Sequence, residues 1–290
     1  MTIREHGLFA QQQLIQSLAL DSHEAQLEAQ LLLQTALKVE RAWLIAHEID
    51  ALGANNHAEF QTLLLRRLQG EPIAYILGYR EFYGLKLCVT PDTLIPRPDT
   101  ETLVEAALAK IPLHTKVEIL DLGTGAGAIA LAVADHRPHA QLMAIDASEN
   151  ALTIAQKNAK NLNIANVQFL HSDWFSTINP KRFDLILSNP PYIEASDTHL
   201  QQGDLRFEPI TALASGPDGL DDIRRIVQDC LVYLKPQGWL MLEHGFNQAQ
   251  AVADLMADSG LVDIATIKDL GGNDRVTIAK NPLIVSTHWH

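Results

Sequence analysis

From about Val117 onward the chain alternates short apolar runs with longer helical stretches, and this alternation restricts the fold more than any other feature. The apolar runs are Val117 to Leu120, Gln141 to Ile145, Val167 to Leu170, Phe183 to Leu187 and Trp239 to Leu242. Helical stretches separate them, among them Ala128 to Asp135, Ala147 to Asn161 and Leu220 to Leu234. Strands alternating with helices of about 10 to 15 residues predict a mostly parallel, doubly wound α/β sheet with crossovers on both faces. Ligands in such sheets bind beyond the carboxyl ends of the strands, where the strand order reverses. Chemistry is therefore expected in the residues just after each strand.

The chain before this region has a different texture. Asp21, with Glu24 three residues on, reads as a helix start, and Leu27, Leu31, Leu32, Leu33, Ala36 and Leu37 supply an apolar stripe. A second helix is expected over Ala58 to Leu68, capped by Asn56 and carrying Phe60, Leu63, Leu64, Leu65 and Leu68. Gly70 closes this part. Glu71 to Pro98, with its aromatics punctuated by Gly78, Gly84, Pro91, Pro96 and Pro98, predicts short strands and turns. The resulting division is a helical domain over 1–70, a linker over 71–98 and a larger domain over 99–290. Asn281 to His290 reads as a frayed tail.

Composition excludes several classes. With 22 Lys and Arg against 35 Asp and Glu, the formal charge is −13. A surface of that sign repels phosphate backbones, and no long basic run offsets it, so direct nucleic-acid binding is not expected. The longest apolar runs, such as Ala126 to Ala134, fall far short of the roughly 18 to 20 residues that span a bilayer. Met1 to Gln16 does not read as a secretory signal. Cys88 and Cys230 are the only cysteines, too few for a disulfide framework or a Cys-rich zinc site, which points to a reducing, cytoplasmic compartment.

The first predicted core strand runs into Asp121-Leu122-Gly123-Thr124-Gly125-Ala126-Gly127. Glycines at alternate positions let the backbone turn tightly and approach a ligand, while the following helix offers its N-terminal N–H groups. Gly123, Gly125 and Ala128, with Asp146 beyond, also fit a dinucleotide fingerprint. Asp121 argues against that fit, because a carboxylate repels a pyrophosphate and attracts a sulfonium or ammonium group. Asp146, ending the second strand, is placed to accept hydrogen bonds from vicinal ribose hydroxyls, a role compatible with capping the next helix. After the third strand, Asp173 is a candidate partner for an adenine amine, and Trp174 or Phe175 a candidate wall for the ring.

Ser188-Asn189-Pro190-Pro191-Tyr192 follows the fourth strand directly. The prolines end the strand and hold a rigid corner. There Asn189 offers a side-chain carbonyl, Pro190 a backbone carbonyl and Tyr192 an aromatic face. Two convergent acceptors beside a flat surface describe a site for a planar NH2 group. Hydrogen bonds from both N–H groups would aim the lone pair of such a nitrogen and favour positive charge on it, as transfer to that nitrogen requires.

Asp121 to Gly127 together with Asn189-Pro190-Pro191-Tyr192 resembles S-adenosylmethionine-dependent methyltransferases that act on planar nitrogen. The corner motif is shared with DNA adenine and ribosomal RNA guanine enzymes and does not choose a substrate. Further segments do: Glu71 to Gly78, Leu94-Ile95-Pro96-Arg97-Pro98-Asp99-Thr100-Glu101, Phe207-Glu208-Pro209 and Asn273-Asp274-Arg275. From about Leu8 to Lys280 the chain is similar to the HemK-like family of peptide chain release factor glutamine methyltransferases. The resemblance implies a small helical N-terminal domain, a β-hairpin linker and a seven-stranded Rossmann-like class I methyltransferase domain. It implies methyl transfer from S-adenosylmethionine, leaving S-adenosylhomocysteine, to the glutamine amide of the Gly-Gly-Gln motif in class I release factors. Asn189, Pro190, Pro191 and Tyr192 would then bind the glutamine. Asp121, Gly123, Thr124, Gly125, Ala126, Gly127, Asp146, Asp173, Trp174 and Asn189 would bind the cofactor, and Arg97 would lie near it.

A ribosomal-protein glutamine methyltransferase would share the same corner, and the segment from Pro96 to Glu101 argues for the release-factor type. A nucleic-acid amino-methyltransferase is disfavoured by the net charge, and a non-catalytic module by the intact glycines and corner. No strong base is expected near the corner. Glu243 and His244, after the fifth strand, are placed where they could reach the site but read first as strand-end polar residues satisfied locally, and Cys230 reads as core. No metal is expected: His288-Trp289-His290 reads as an exposed tail, and no His-Glu-x-x-His pair is present. A monomer is the simplest expectation.

Overall fold

A computed structural model of the chain describes residues 1–179 and 181–283. These divide into two compact units, one formed by Met1–Tyr79 with Gln202–Phe207 and the other by Arg80–Gln201 with the chain from Glu208 onward.

The first unit is helical: α1 (Ile3–Leu18), α2 (Ser22–Leu37), α3 (Arg41–Ala46), α4 (Ala54–Leu68) and α5 (Ile73–Leu77). Thr2 and Glu5 form a reciprocal capping box at α1, and the Asp21 carboxylate accepts the backbone N–H groups of His23 and Glu24 at the start of α2. Leu14, Leu32, Phe60 and Leu64 are fully enclosed in one core. Three expectations are corrected. Leu27 and Leu65 are exposed, because the buried faces run through Ala25, Ala29, Leu32 and Leu33 on α2 and Phe60, Leu63 and Leu64 on α4. Gly53 rather than Asn56 precedes α4, so Asn56 lies within the helix. The start of the expected linker, Ile73–Leu77, is helical.

A buried ion pair joins Glu28 on α2 to Arg67 on α4 at 2.7 Å. Residues 202–207 return to this unit: Asp204 lies 3.8 Å from Arg67, and Arg206 donates to the Gln69 carbonyl. Gly70 sits there at φ +91°, a left-handed backbone conformation that glycine adopts without strain.

From Arg80 the second unit opens with a hairpin, β1 (Tyr79–Phe82) and β2 (Leu85–Cys88), joined by Tyr83-Gly84 with both residues at positive φ, the geometry of a two-residue hairpin turn. The hairpin is more than a connector, because Phe82, Leu85 and Leu87 are built into the core of this unit. Asn158 clamps it, accepting from the Cys88 N–H and donating to the carbonyls of Cys88 and Ala126.

The remaining elements are α6 (Glu101–Lys110), β3 (Glu118–Leu122), α7 (Ala128–His136), β4 (Gln141–Asp146), α8 (Glu149–Asn161), β5 (Val167–His171), β6 (Phe183–Ser188), α9 (Asp221–Tyr233), β7 (Leu234–Glu243), α10 (Ala249–Asp258), β8 (Val262–Lys268) and β9 (Asp274–Lys280). Seven strands form one sheet in the order β5-β4-β3-β6-β7-β9-β8, parallel except that β9 is antiparallel to both of its neighbours. This is the seven-stranded α/β architecture that the family resemblance implied. Periodicity alone marked five of the strands and missed α6, α10, β8 and β9. Strand β7 starts at Leu234, earlier than Trp239, and its register against β6 shifts between Phe183 and Leu185.

The chain builds outward from β3 through β4 to β5, then returns to lay β6 on the other side of β3. The order reverses there, so the carboxyl ends of β3 and β6 lie together, with Leu122 the register partner of Ser188. Asn281 corrects the expectation of a frayed tail. It is buried, and its side chain donates to the carbonyls of Leu234 and Lys235. His288, Trp289 and His290 lie outside the described residues. Among the described residues, no helix is long and apolar enough to cross a membrane, and no three His, Cys, Asp or Glu residues are grouped to hold a metal ion.

Candidate active site

A cavity of about 660 Å³ opens at the carboxyl ends of β3, β4, β5 and β6, a size typical of small-molecule sites. Gly123, Gly125, Asp146, Asp173, Trp174, Asn189 and Pro191 all line it. Of the other expected residues, Thr124, Ala126 and Pro190 are buried, and Gly127 packs under the turn, where a Cβ would meet the Leu131 side chain at 2.9 Å.

The three glycines have positive φ, which coils the backbone over the end of β3. Gly123 sits under the Trp174 ring, while a Cβ on Gly125 would meet no protein atom within 4 Å. Asp146 fixes the turn: one carboxylate oxygen accepts the Gly125 N–H and the other the Ser148 N–H, each at 2.8 Å. Ser148, not Asp146, caps α8. Burial raises the Asp146 pKa, opposed by these N–H groups.

Asp121 lies beneath the turn, fully buried, and its Oδ2 accepts the Thr124 hydroxyl at 2.6 Å. Its Oδ1 is buried with no hydrogen-bond partner, and desolvation pushes its pKa up to about 7. At the far wall the Trp174 indole N–H donates to Asp222, whose other oxygen accepts the Ser215 hydroxyl. Asp173 is exposed and paired with Arg225 at 2.9 Å. Phe175 does not wall the cavity: it is buried in the core, stacked on Tyr233.

The Asn189 corner is held from several sides. Ser188, wholly buried, donates its hydroxyl to the Leu122 carbonyl at 2.7 Å. Asn189 Nδ2 donates to Thr100 Oγ1 at 3.2 Å, which leaves Oδ1 as the free acceptor of that amide. The Tyr192 carbonyl accepts from Gln248, and the Tyr192 hydroxyl stands 3.4 Å from Glu243 Oε1.

The comparisons with known proteins bear on this arrangement. The Methyltransferase small domain model matches residues 99–206, and the PrmC N-terminal domain model matches residues 10–78. The chain is 46% identical over 263 residues to the release factor glutamine methyltransferase of Shewanella oneidensis, covering 91% of this chain and 92% of that one. It is 48% identical over 255 residues to the protein of the same name from Xylella fastidiosa, covering 88% and 93%. The chain belongs to the release factor glutamine methyltransferase family. Among solved structures, a methyltransferase from Pyrococcus furiosus aligns with a TM-score of 0.54 at 18% identity, covering 77% of this chain and all of that one, a likeness of fold.

Sequence reasoning missed several residues that shape this family member's site. Glu243 is not satisfied locally: it is 1% exposed, one oxygen faces Tyr192, the other is buried unpartnered, and burial lifts its pKa to about 7. A buried carboxyl therefore stands near the corner, where no strong base was expected. His244 does bond locally, to the Gly245 carbonyl and the Thr277 hydroxyl. Thr100, Asp222, Arg225 and Gln248 were also missed. Arg97 forms an ion pair with Glu208, which is buried and also accepts the Ile95 N–H. Cys230 is core, its thiol pushed up to about 12 by burial.

Proposed function

We propose that this enzyme transfers a methyl group from S-adenosylmethionine to the side-chain amide nitrogen of the glutamine in the Gly-Gly-Gln motif of class I peptide chain release factors. The observation that carries the reading is Asn189. It lines the cavity at the switch point of the sheet, with its Nδ2 committed to Thr100 and its Oδ1 left to accept. Asn189 Oδ1 and the Pro190 carbonyl hold the two amide N–H groups, with Pro191 and Tyr192 shaping the corner around them. These acceptors aim the nitrogen lone pair and favour the positive charge that builds on it on alkylation, and the nitrogen gives up one N–H proton to solvent during or after attack, leaving the neutral N-methyl amide.

The residues present fit the cofactor. Gly125 leaves open space where any side chain would intrude, and Asp146 brings a carboxylate to the cavity wall. Asp146 would take the ribose hydroxyls, with Gly123 and Gly125 against the backbone of the ligand and Trp174 and Asp173 at the adenine. Thr124, Ala126 and Gly127 shape the turn. Asp121 contributes negative charge from beneath it, which suits a cationic ligand. When bound, S-adenosylmethionine supplies an electrophilic methyl on its sulfonium and leaves as S-adenosylhomocysteine.

The helical unit is the release-factor-recognition element in this reading, and the enzyme works as a cytoplasmic monomer. Intact mass spectrometry of an unmethylated class I release factor incubated with enzyme and S-adenosylmethionine tests it. The expected product carries one methyl on the Gly-Gly-Gln glutamine, and Asn189→Ala slows its formation by about 10² to 10³. Near-normal turnover by that variant would sink the assignment.

A further inference from the structure

We propose, resting on the reading that Trp174 stands at the adenine, that Asp222 is a positioning residue for the cofactor: it holds the plane of the Trp174 ring on which the adenine packs.

Trp174 has a backbone that bulky side chains rarely adopt, at φ +46°. Strain of this kind persists only where the surrounding structure holds it, and it gathers at ligand clamps. The turn is gripped by the buried Ser172, whose hydroxyl donates to the Trp174 carbonyl at 2.7 Å and accepts the Thr177 N–H at 3.1 Å. The ring lies against Gly123, where a Cβ would stand 3.4 Å from its edge. An indole carries one polar atom, a donor, so a fixed acceptor at its rim sets the rotation of the ring.

Asp222 is that acceptor, and it is itself immobilised. Its Oδ1 accepts the Trp174 indole N–H at 3.1 Å, and its Oδ2 accepts the Ser215 hydroxyl at 2.7 Å. The Ser215 oxygen in turn accepts the Asp222 backbone N–H at 2.8 Å, which makes the pair reciprocal. Ser215 is buried, and its own N–H donates at 2.9 Å to the carbonyl of Ile193, just beyond the Asn189 corner. A carboxylate with both oxygens engaged keeps one orientation, and so does the indole it holds. One turn further along α9, Arg225 pairs with Asp173 at 2.9 Å and lies 3.8 Å from Asp222. The start of α9 thus braces both residues assigned to the adenine, and Asp222, Arg225, Asp173 and Trp174 all line the cavity. A wall set before the ligand arrives spares binding the cost of ordering it.

Calorimetric titration of S-adenosylmethionine in a double-mutant cycle tests this, with thermal melts as the control for folding. Asp222→Ala is expected to raise the Kd about tenfold, with kcat at saturating cofactor and the release-factor KM unchanged. Asp222→Asn keeps an oxygen for the indole and is expected to restore most of the affinity. Trp174→Phe keeps a ring without the N–H and should weaken binding by a similar factor. In that background Asp222→Ala should change the Kd by less than about twofold. An equal loss in both backgrounds would show that Asp222 acts on the fold or on the ligand directly and would overturn the proposal, as would a wild-type Kd for Asp222→Ala. Should Asp222→Ala fail to fold, Ser215→Ala, which releases one carboxylate oxygen, takes its place in the cycle under the same criteria. A wild-type Kd for Trp174→Ala would instead remove the reading on which the proposal rests.

Discussion

Ser188 and Leu122 are register partners on adjacent parallel strands, and the Ser188 hydroxyl donates to the Leu122 carbonyl at 2.7 Å. The next residue on one strand is Gly123, the first glycine of the turn that lines the cavity, and on the other Asn189. Together with the β3–β6 ladder, this buried hydrogen bond ties the two halves of the site to one another. Ser188→Ala is expected to cost about 1 to 3 kcal/mol, because it leaves the Leu122 carbonyl short of a donor in a dry interior. Urea unfolding measures that loss, and kcat should fall with little change in cofactor Kd.

Gly125 and Gly127 look equivalent in sequence and are not. A Cβ on Gly127 would press on Leu131 and Ala155, at φ +87°, whereas one on Gly125, at φ +55°, would meet open space. Gly127→Ala should thus unfold the protein more readily. Gly125→Ala should retain most stability, at a cost of about 1 to 2 kcal/mol for the left-handed backbone, and lose S-adenosylmethionine binding. Paired calorimetry and thermal melts separate the two.

The contrast shows what the sequence makes legible. Five strands, the switch-point glycines and the Asn189 corner follow from local patterns: apolar runs, a turn and prolines that stop a strand. Asp21 as a cap is local in the same sense, bonding only two and three residues ahead. Glu243 and Tyr192 are 51 residues apart, and Trp174 and Asp222 are 48 apart. No spacing rule connects such pairs, because folding alone brings them together. Leu27 and Leu65 fail for a related reason: a helical stripe gives a direction, and the packing of neighbouring helices decides which edge of it is buried.

Asp146 accepts the N–H groups of Gly125 and Ser148 and is proposed to bind ribose hydroxyls as well. Asp146→Asn keeps one acceptor and loses the charge. Charge-assisted hydrogen bonds contribute about 1.5 to 3 kcal/mol, so S-adenosylmethionine affinity should weaken by about 10- to 100-fold. Isothermal titration reads this directly, and a Kd within error of the wild type would remove Asp146 from the ribose role.

In the helical unit a groove of about 260 Å³ is lined by Leu8, Leu33, Leu44 and Ile45, with Leu8 and Ile45 more than half exposed. If this unit holds the release factor, Ile45→Glu should raise the KM for it by about tenfold, the effect of losing roughly 1.4 kcal/mol, and leave cofactor binding intact. An unchanged KM would move the recognition surface elsewhere.

Asp121 and Glu243 together predict how the catalytic unit responds to pH. Desolvation raises both to about 7, from ordinary values of 3.8 and 4.5. The folded state therefore holds protons that the unfolded chain releases between about pH 4 and 7. Their stabilising contribution is complete below the unfolded pKa values and is lost as pH rises through 7. Hydrogen exchange of β3 and β6 amides in the cofactor-free enzyme should accordingly quicken, after correction for the intrinsic rate, between pH 5 and pH 8. Asp121→Asn removes one of the two titrations and should flatten that dependence. Added S-adenosylmethionine should flatten it further, because a sulfonium above the turn favours the Asp121 carboxylate and draws its pKa back toward the ordinary range.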